Sequence, residues 1–189
     1  MSSALARAAM LAVTAAVLAL PGAVDGQTAP SSASGTATDI SAEEIALVLR
    51  GMQGRSIDQQ LKIADIGSGN LAVGILHRTG EHDTDGVHRG AVHVYLHEVY
   101  YILSGGGTLL TGGELSNATE PGPDEVVGPT FSADSRNGTV REVRAGDVVI
   151  IPAGTLHAWL SIPDHVTYLG IRPDPARILP AGYVNPAID

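Results

Sequence analysis

The chain contains no cysteine. Disulfides, thiolate metal sites, iron–sulfur clusters and a thiol nucleophile are therefore excluded, and any chemistry must come from nitrogen and oxygen side chains. Those groups gather in two segments. The first is His93-Val-Tyr-Leu-His-Glu98-Val-Tyr-Tyr-Ile-Leu-Ser-Gly105, an acid and an imidazole leading into an aromatic-rich run and a glycine turn. The second is Gly146-Asp-Val-Val-Ile-Ile-Pro152-Ala-Gly154-Thr-Leu-His157, an apolar strand bent by Pro and Gly before a histidine. Two imidazoles (His93, His157) and one carboxylate (Glu98), with coordination positions left open, suit a divalent transition metal: Fe, Mn, Ni, Co or Zn. A lone Glu beside so apolar a strand is costly to bury, and a metal partner accounts for it. His93 and Glu98 stand five apart, which on one continuous strand points them to opposite faces. They converge only if the chain turns or bulges near Leu96-His97.

The two-residue period of a strand puts Tyr100 on the face of Glu98 and Trp159 on the face of His157. Both are candidate pocket walls, each adding apolar area and one O–H or N–H to orient a ligand. Ordinary core packing is the alternative reading for both. Tyr100 is also the candidate catalytic acid or base. Arg78, at the end of an apolar run, is a candidate clamp for a ligand carboxylate, against the commoner role of a solvated strand-end cation. His77 and His82 read as surface or structural residues. Three of the chain's seven aromatic residues fall within Tyr95–Tyr101, so the scarce rings gather beside the proposed site.

The elements that must hold these residues are nearly all short strands. Ser41-Ala-Glu-Glu44 is a capping-box pattern that starts a helix running to about Arg50, ended by Gly51 and Gly54. Beyond it, apolar or alternating runs divided by Gly, Pro, Asn and Asp predict strands at 61–66, 71–78, 91–95, 99–103, 108–111, 140–143, 148–151, 158–162 and 166–171. Residues 116–138, mostly polar with several Gly and Pro, read as a long excursion between strands. One leading helix and many strands without internal repeat predict an all-β sandwich or barrel in a single domain.

The 189 residues divide further. An apolar run from Ala8 to Leu20, too short to span a bilayer, reads as the core of a signal peptide over 1–26, cleaved after Gly26. The expected location is secreted or periplasmic, with no stable membrane insertion after cleavage. A flexible leader (27–38), the helix and a linker (39–60), the barrel (61–173) and a C-terminal tail (174–189) follow. The net charge of −9 excludes a nucleic-acid binder, whose phosphate contacts need clustered Lys and Arg. No Gly-x-Ser-x-Gly elbow is present, which argues against a serine hydrolase.

The two segments resemble the paired signature motifs of the cupin superfamily, and in particular its small single-barrel, RmlC-like members (cupin type-2). Gly146, Pro152, Gly154 and His157 match the second motif, with Ser161 in place of its final Asn. Glu98, Gly105 and His93 match the first, while Ala91 stands where that motif carries its first His. The resemblance covers about Leu61–Pro173. It implies a double-stranded β-helix, or jelly-roll barrel, with a metal held by His93, Glu98 and His157. For the position that Ala91 leaves, water is the favoured occupant, with His88 and His97 as alternatives. It also implies a small-molecule ligand, a homodimer, and chemistry of oxygenase, isomerase or lyase type. The alternatives are a non-enzymatic small-molecule-binding or sensory cupin without metal, and a structural or storage-type barrel.

Overall fold

Ser41 caps helix α1 (Ala42–Gly51) through both bonds of the capping box: Glu44 N–H donates to Ser41 Oγ at 3.1 Å, and Ser41 N–H to Glu44 Oε2 at 2.7 Å. The helix buries Val48 against Leu61 and Ile75, with Ile45 and Leu49 at its margins. The computed structural model describes residues 36–54, 56–80 and 87–188. The expected signal peptide, most of the leader and His82 lie outside these residues.

Among the described residues ten strands follow: β1 (Ser56–Asp65), β2 (Asn70–Thr79), β3 (His88–His93), β4 (Glu98–Thr111), β5 (Glu114–Ser116), β6 (Thr130–Arg136), β7 (Thr139–Arg144), β8 (Val148–Ile151), β9 (His157–Ser161) and β10 (His165–Asp174). Every pairing among them is antiparallel. β4 belongs to two sheets. Its first half pairs with β10 and β8, and its second half with β7 and β9. Strands β1, β2, β10, β4 and β8 form one wall, and β4, β7, β9, β3, β6 and β5 the other. Between them lies the core of Leu76, Tyr100, Ile102, Leu109, Val149, Ile162 and Tyr168. This is the double-stranded β-helix that the resemblance implies.

Strand boundaries differ from expectation in several places. The runs at 99–103 and 108–111 are one strand, because the Gly105–Gly107 triplet carries the chain from one sheet to the other. Gly105 has φ +69°, and a Cβ there would collide with the backbone carbonyl oxygen of His165. Residues 116–138 are not all excursion. Phe131 and Ala133 alternate with polar residues and pack on Val92, Leu110 and Leu156, making β6 a half-buried strand. β1 begins at Ser56, inside the expected linker, and brings Asp58 and Gln60 into pairing with Leu76 and Gly74. The C-terminal tail runs back along β1, where Asn185 N–H donates to Leu61 O at 2.8 Å. Leu179 then joins Ile63, Leu96 and Val127 to close one end of the barrel.

Gly105→Ala is expected to destabilise the fold by more than about 3 kcal/mol, since left-handed strain and overpacking each cost ~1–3 kcal/mol. Urea unfolding of the variant against the parent measures it.

Candidate metal centre

His93 ends β3, Glu98 opens β4 and His157 opens β9, so each ligand sits where a strand meets a bend. Between the first two, β3 stops at His93 rather than Tyr95. The chain bends at Val94-Tyr95, just ahead of the expected place, and re-enters the other sheet at Glu98. The change of sheet cancels the odd spacing. Leu96, inside this bend, is fully buried in the barrel-end cluster and pins it. Across the sheet His157 is brought in by its pairing with Ala91 on β3.

The three side chains are buried, at 8% (His93), 1% (Glu98) and 9% (His157) exposure. One ligand atom from each lies within 4.8 Å of the others. His93 Nε2 is 3.3 Å and His157 Nε2 3.4 Å from the same oxygen, Glu98 Oε2. Neighbouring groups meet the other nitrogen of each ring. Thr130 Oγ1 lies 3.0 Å from Gly128 O and 2.8 Å from His93 Nδ1. His157 Nδ1 faces the carbonyl of Thr155 at 3.2 Å. Both Nε2 atoms thus face the same carboxylate oxygen, while both Nδ1 atoms are turned outward to Thr130 and Thr155. Burial depresses the His157 pKa to about 4, against the attraction of Glu98, so this ring is neutral at pH 7. Two imidazole nitrogens and a carboxylate oxygen gathered in one small buried volume are consistent with a metal site. The Nδ1 contacts with Thr130 and Thr155 fix the orientation of the two rings.

Glu98 is held from behind as well. Arg172, with no exposure, donates from Nε to Glu98 Oε1 at 2.8 Å and from Nη2 to Asp58 Oδ2. Tyr100 donates its O–H to Glu98 Oε2 at 2.9 Å. Burial alone would raise the Glu98 carboxyl. The two imidazoles and the Arg172 guanidinium outweigh it and hold the group well below the usual carboxylate range. With Oε1 taken by Arg172, Oε2 is the oxygen turned toward the histidines. Burial, reinforced by the charge of Glu98, pushes the Tyr100 phenol well above its ordinary value, so it remains a proton donor.

The other expected residues fall into place around this centre. Arg78 donates from Nε to Tyr168 Oη at 2.9 Å, and Trp159 from Nε1 to the same oxygen at 3.2 Å. Arg78 and Tyr100 line the cavity of about 330 Å³ that contains the three ligands. Trp159 lines a second, of about 260 Å³, next to it. His97 is exposed and accepts from Ala153 N–H at 3.2 Å, turned away from the ligands. His88 has the opposite strand parity to His93 on β3 and is not in the cluster. Neither replaces the residue absent at Ala91. His77 is structural: its Nδ1 meets Thr167 Oγ1 at 2.8 Å and its ring stacks on His165.

Sequence reading missed Arg172, Asp58 and Thr130. A cross-strand pair of glycines, Gly74 on β2 and Gly170 on β10, is the one signal that marks the first. A Cβ at Gly74 would stand 2.8 Å from Arg172 Nη1, and one at Gly170 3.1 Å from Nη2. The missing side chains make the space that the guanidinium fills.

No family model and no curated protein matches the chain. Solved structures do match. The DMSP lyase DddQ from Ruegeria pomeroyi is 18% identical, with a TM-score of 0.40 over 63% of this chain and 47% of its own. A conserved protein with a double-stranded β-helix domain from Klebsiella pneumoniae is 19% identical, with a TM-score of 0.36 over 66% and 81%. A protein of Bacillus halodurans is 16% identical, with a TM-score of 0.43 over 80% and 91%. The likeness is one of fold, and this chain spans under half the length of DddQ.

Arg172→Met leaves the buried Glu98 and the half-buried Asp58 without their counter-charge. A loss of about 3–5 kcal/mol in denaturant unfolding is expected, with Arg172→Lys recovering part of it.

Proposed function

We propose that this chain is an exported metal-binding protein of cupin fold that works as a metal-dependent enzyme, of oxygenase, isomerase or lyase type, on a small organic molecule. The observation that carries the reading is the convergence of His93 Nε2, His157 Nε2 and Glu98 Oε2 inside a buried cavity. A divalent transition metal bound there supplies Lewis acidity and open positions for a ligand. His93, Glu98 and His157 would hold it, oriented by Thr130, Arg172 and Thr155. Tyr100, protonated and beside Glu98 and His157, is the proton donor of the site. Arg78 and Trp159 orient the ligand.

The second reading, a metal-free small-molecule-binding or sensory cupin, has one observation in its favour: Arg172 already neutralises Glu98. Elemental analysis of protein purified without chelators decides between them. The enzyme reading expects about one equivalent of a transition metal, lost in His157→Ala, His93→Ala and Glu98→Gln. Less than roughly a tenth of an equivalent in the parent, after supplementing the growth medium, would refute it. Thr130→Val, which removes only the outer contact to His93, is expected to weaken metal affinity by ~10–100-fold.

Export rests on the apolar run at 8–20 and is tested by N-terminal sequencing of the mature protein, which should begin at Gln27. Among the described residues no helix is long and apolar enough to cross a membrane. Support for a homodimer comes from β4 and β8, whose pairing sets Tyr101 beside Val148 and Val99 beside Ile150 on the outer face. Ile150 is 73% exposed there, an apolar face of the kind that self-association buries. Light scattering should return twice the mass of the chain.

A further inference from the structure

The outer face of the barrel carries a second set of polar side chains, which the metal centre does not use. Ser104 Oγ lies 3.1 Å from His165 Nε2, and His165 Nδ1 lies 2.7 Å from Asp164 Oδ2. A hydroxyl, an imidazole and a carboxylate thus form one chain of contacts, each ring nitrogen meeting one oxygen. An ionised carboxylate can only accept, so in the neutral ring it holds the proton on Nδ1 and leaves Nε2 to accept from the Ser104 hydroxyl. This is the order that activates a serine: nucleophile, base, and a third group that orients the base. No sequence motif marks it, because such a set is defined by geometry. Asp164 and His165 are neighbours, while Ser104 comes from another strand, 61 residues from His165.

A close approach of two backbones brings the three together. Val166 and Tyr168 of β10 turn into the core, so His165 and Thr167 lie on the opposite, outer face. β10 runs antiparallel to β4 with Thr167 opposite Ser104 and Val166 opposite Gly105. Gly105 lacks the Cβ that would collide with the His165 carbonyl oxygen, and this lets β10 begin directly against Ser104. The imidazole has a further contact: its ring stacks on that of His77, with centroids 5.9 Å apart and planes at 26°. His77 Nδ1 is in turn 2.8 Å from Thr167 Oγ1. Ser104 and His165 are half-buried and Asp164 is exposed, so the set is open to solvent. Water screens an exposed carboxylate, and the part left to Asp164 is to fix the ring.

We propose that Ser104, His165 and Asp164 form a second reactive centre, in which Ser104 takes an acyl group from a carboxylic ester with a good leaving group. His165 Nε2 receives the hydroxyl proton as Ser104 Oγ bonds to the acyl carbon. The bond from that carbon to the leaving oxygen breaks, and the departing oxygen takes the proton from His165. Water then attacks the acyl-serine, its proton passing to the same nitrogen. The carboxylic acid leaves, and Ser104 regains its proton from His165. Ser104 and His165 are the catalytic residues, and Asp164 positions the base. Charge developing in the transition state is stabilised less on a surface open to water than in an enclosed site, which restricts the donors to activated esters. The centre needs no metal, so it stands or falls apart from the metal-binding reading.

The test is labelling of the full-length protein with diisopropyl fluorophosphate, which phosphorylates an activated serine with loss of fluoride, followed by peptide mass mapping. Ser104 should be labelled at least about tenfold faster than any other serine of the chain, since a positioned general base contributes ~10²–10⁴-fold. That comparison is made within the parent, so a variant that folds poorly does not obscure it. His165→Gln should slow the labelling at least about tenfold. Asp164→Ala should slow it too, with Asp164→Glu recovering part of the rate. Prior treatment with a chelator should leave it unchanged. With para-nitrophenyl acetate the parent should release nitrophenolate at least about tenfold faster than Ser104→Ala. Labelling of Ser104 no faster than that of other serines, a rate that survives His165→Gln, or equal ester cleavage by parent and Ser104→Ala overturns the proposal. So does loss of labelling with the chelator, which would trace the activation to the metal centre instead.

Discussion

A guanidinium with no exposed surface lies between two carboxylates in this barrel, and the arrangement around it is built to keep it there. Taking Arg172 and Glu98 out of water carries a penalty of several kcal/mol per ion, which only close and well-directed hydrogen bonds repay. Two glycines on paired strands give the guanidinium its space, and Asp58 holds its other side. With Arg172 anchored, Glu98 has one oxygen committed and the other directed at His93 and His157. The same interaction explains how the site can be ordered ahead of any metal: the carboxylate is already ionised, already oriented and already compensated.

The elements that a sequence shows well are those whose signals are local. The capping box at Ser41–Glu44, the strand at 148–151 and the Pro152–Gly154 bend before His157 all follow from neighbours within a few residues. His93, Glu98 and His157 were legible because their types and spacing form a pattern. Arg172 was not, since in Leu-Gly-Ile-Arg-Pro it looks like a solvated strand end, and its partners lie 74 and 114 residues away. Thr130 was hidden for a related reason. Its strand is polar on one face, and the burial of Phe131 and Ala133 that makes it a strand comes from distant residues. Asp58 fell in a stretch that shows no apolar alternation. Non-local compensation of charge leaves only a negative imprint on the sequence, here the two glycines.

The two faces of the barrel sheets divide the work. Inward positions carry Glu98, Tyr100, Tyr168 and Arg172, a polar lining inside an otherwise apolar core. Outward positions of β4 and β8 carry Tyr101, Leu103, Val148 and Ile150, which remain exposed where helix α1 does not reach. The helix covers β1 and β2 through Val48, Leu61 and Ile75, so the outer apolar surface is only partly closed by this chain.

Strand β4 pairs with four others and passes from one wall to the other at its glycines. Its consequence is one of timing. His93 and Glu98 are close in the chain, but the third group, the His157 imidazole, arrives only when β9 has docked on the far half of β4 and on β3. Such long-range pairing is the slow part of folding. A partly folded chain can thus offer two ligands and never three, and capture of an ion would mark the moment at which the barrel has closed.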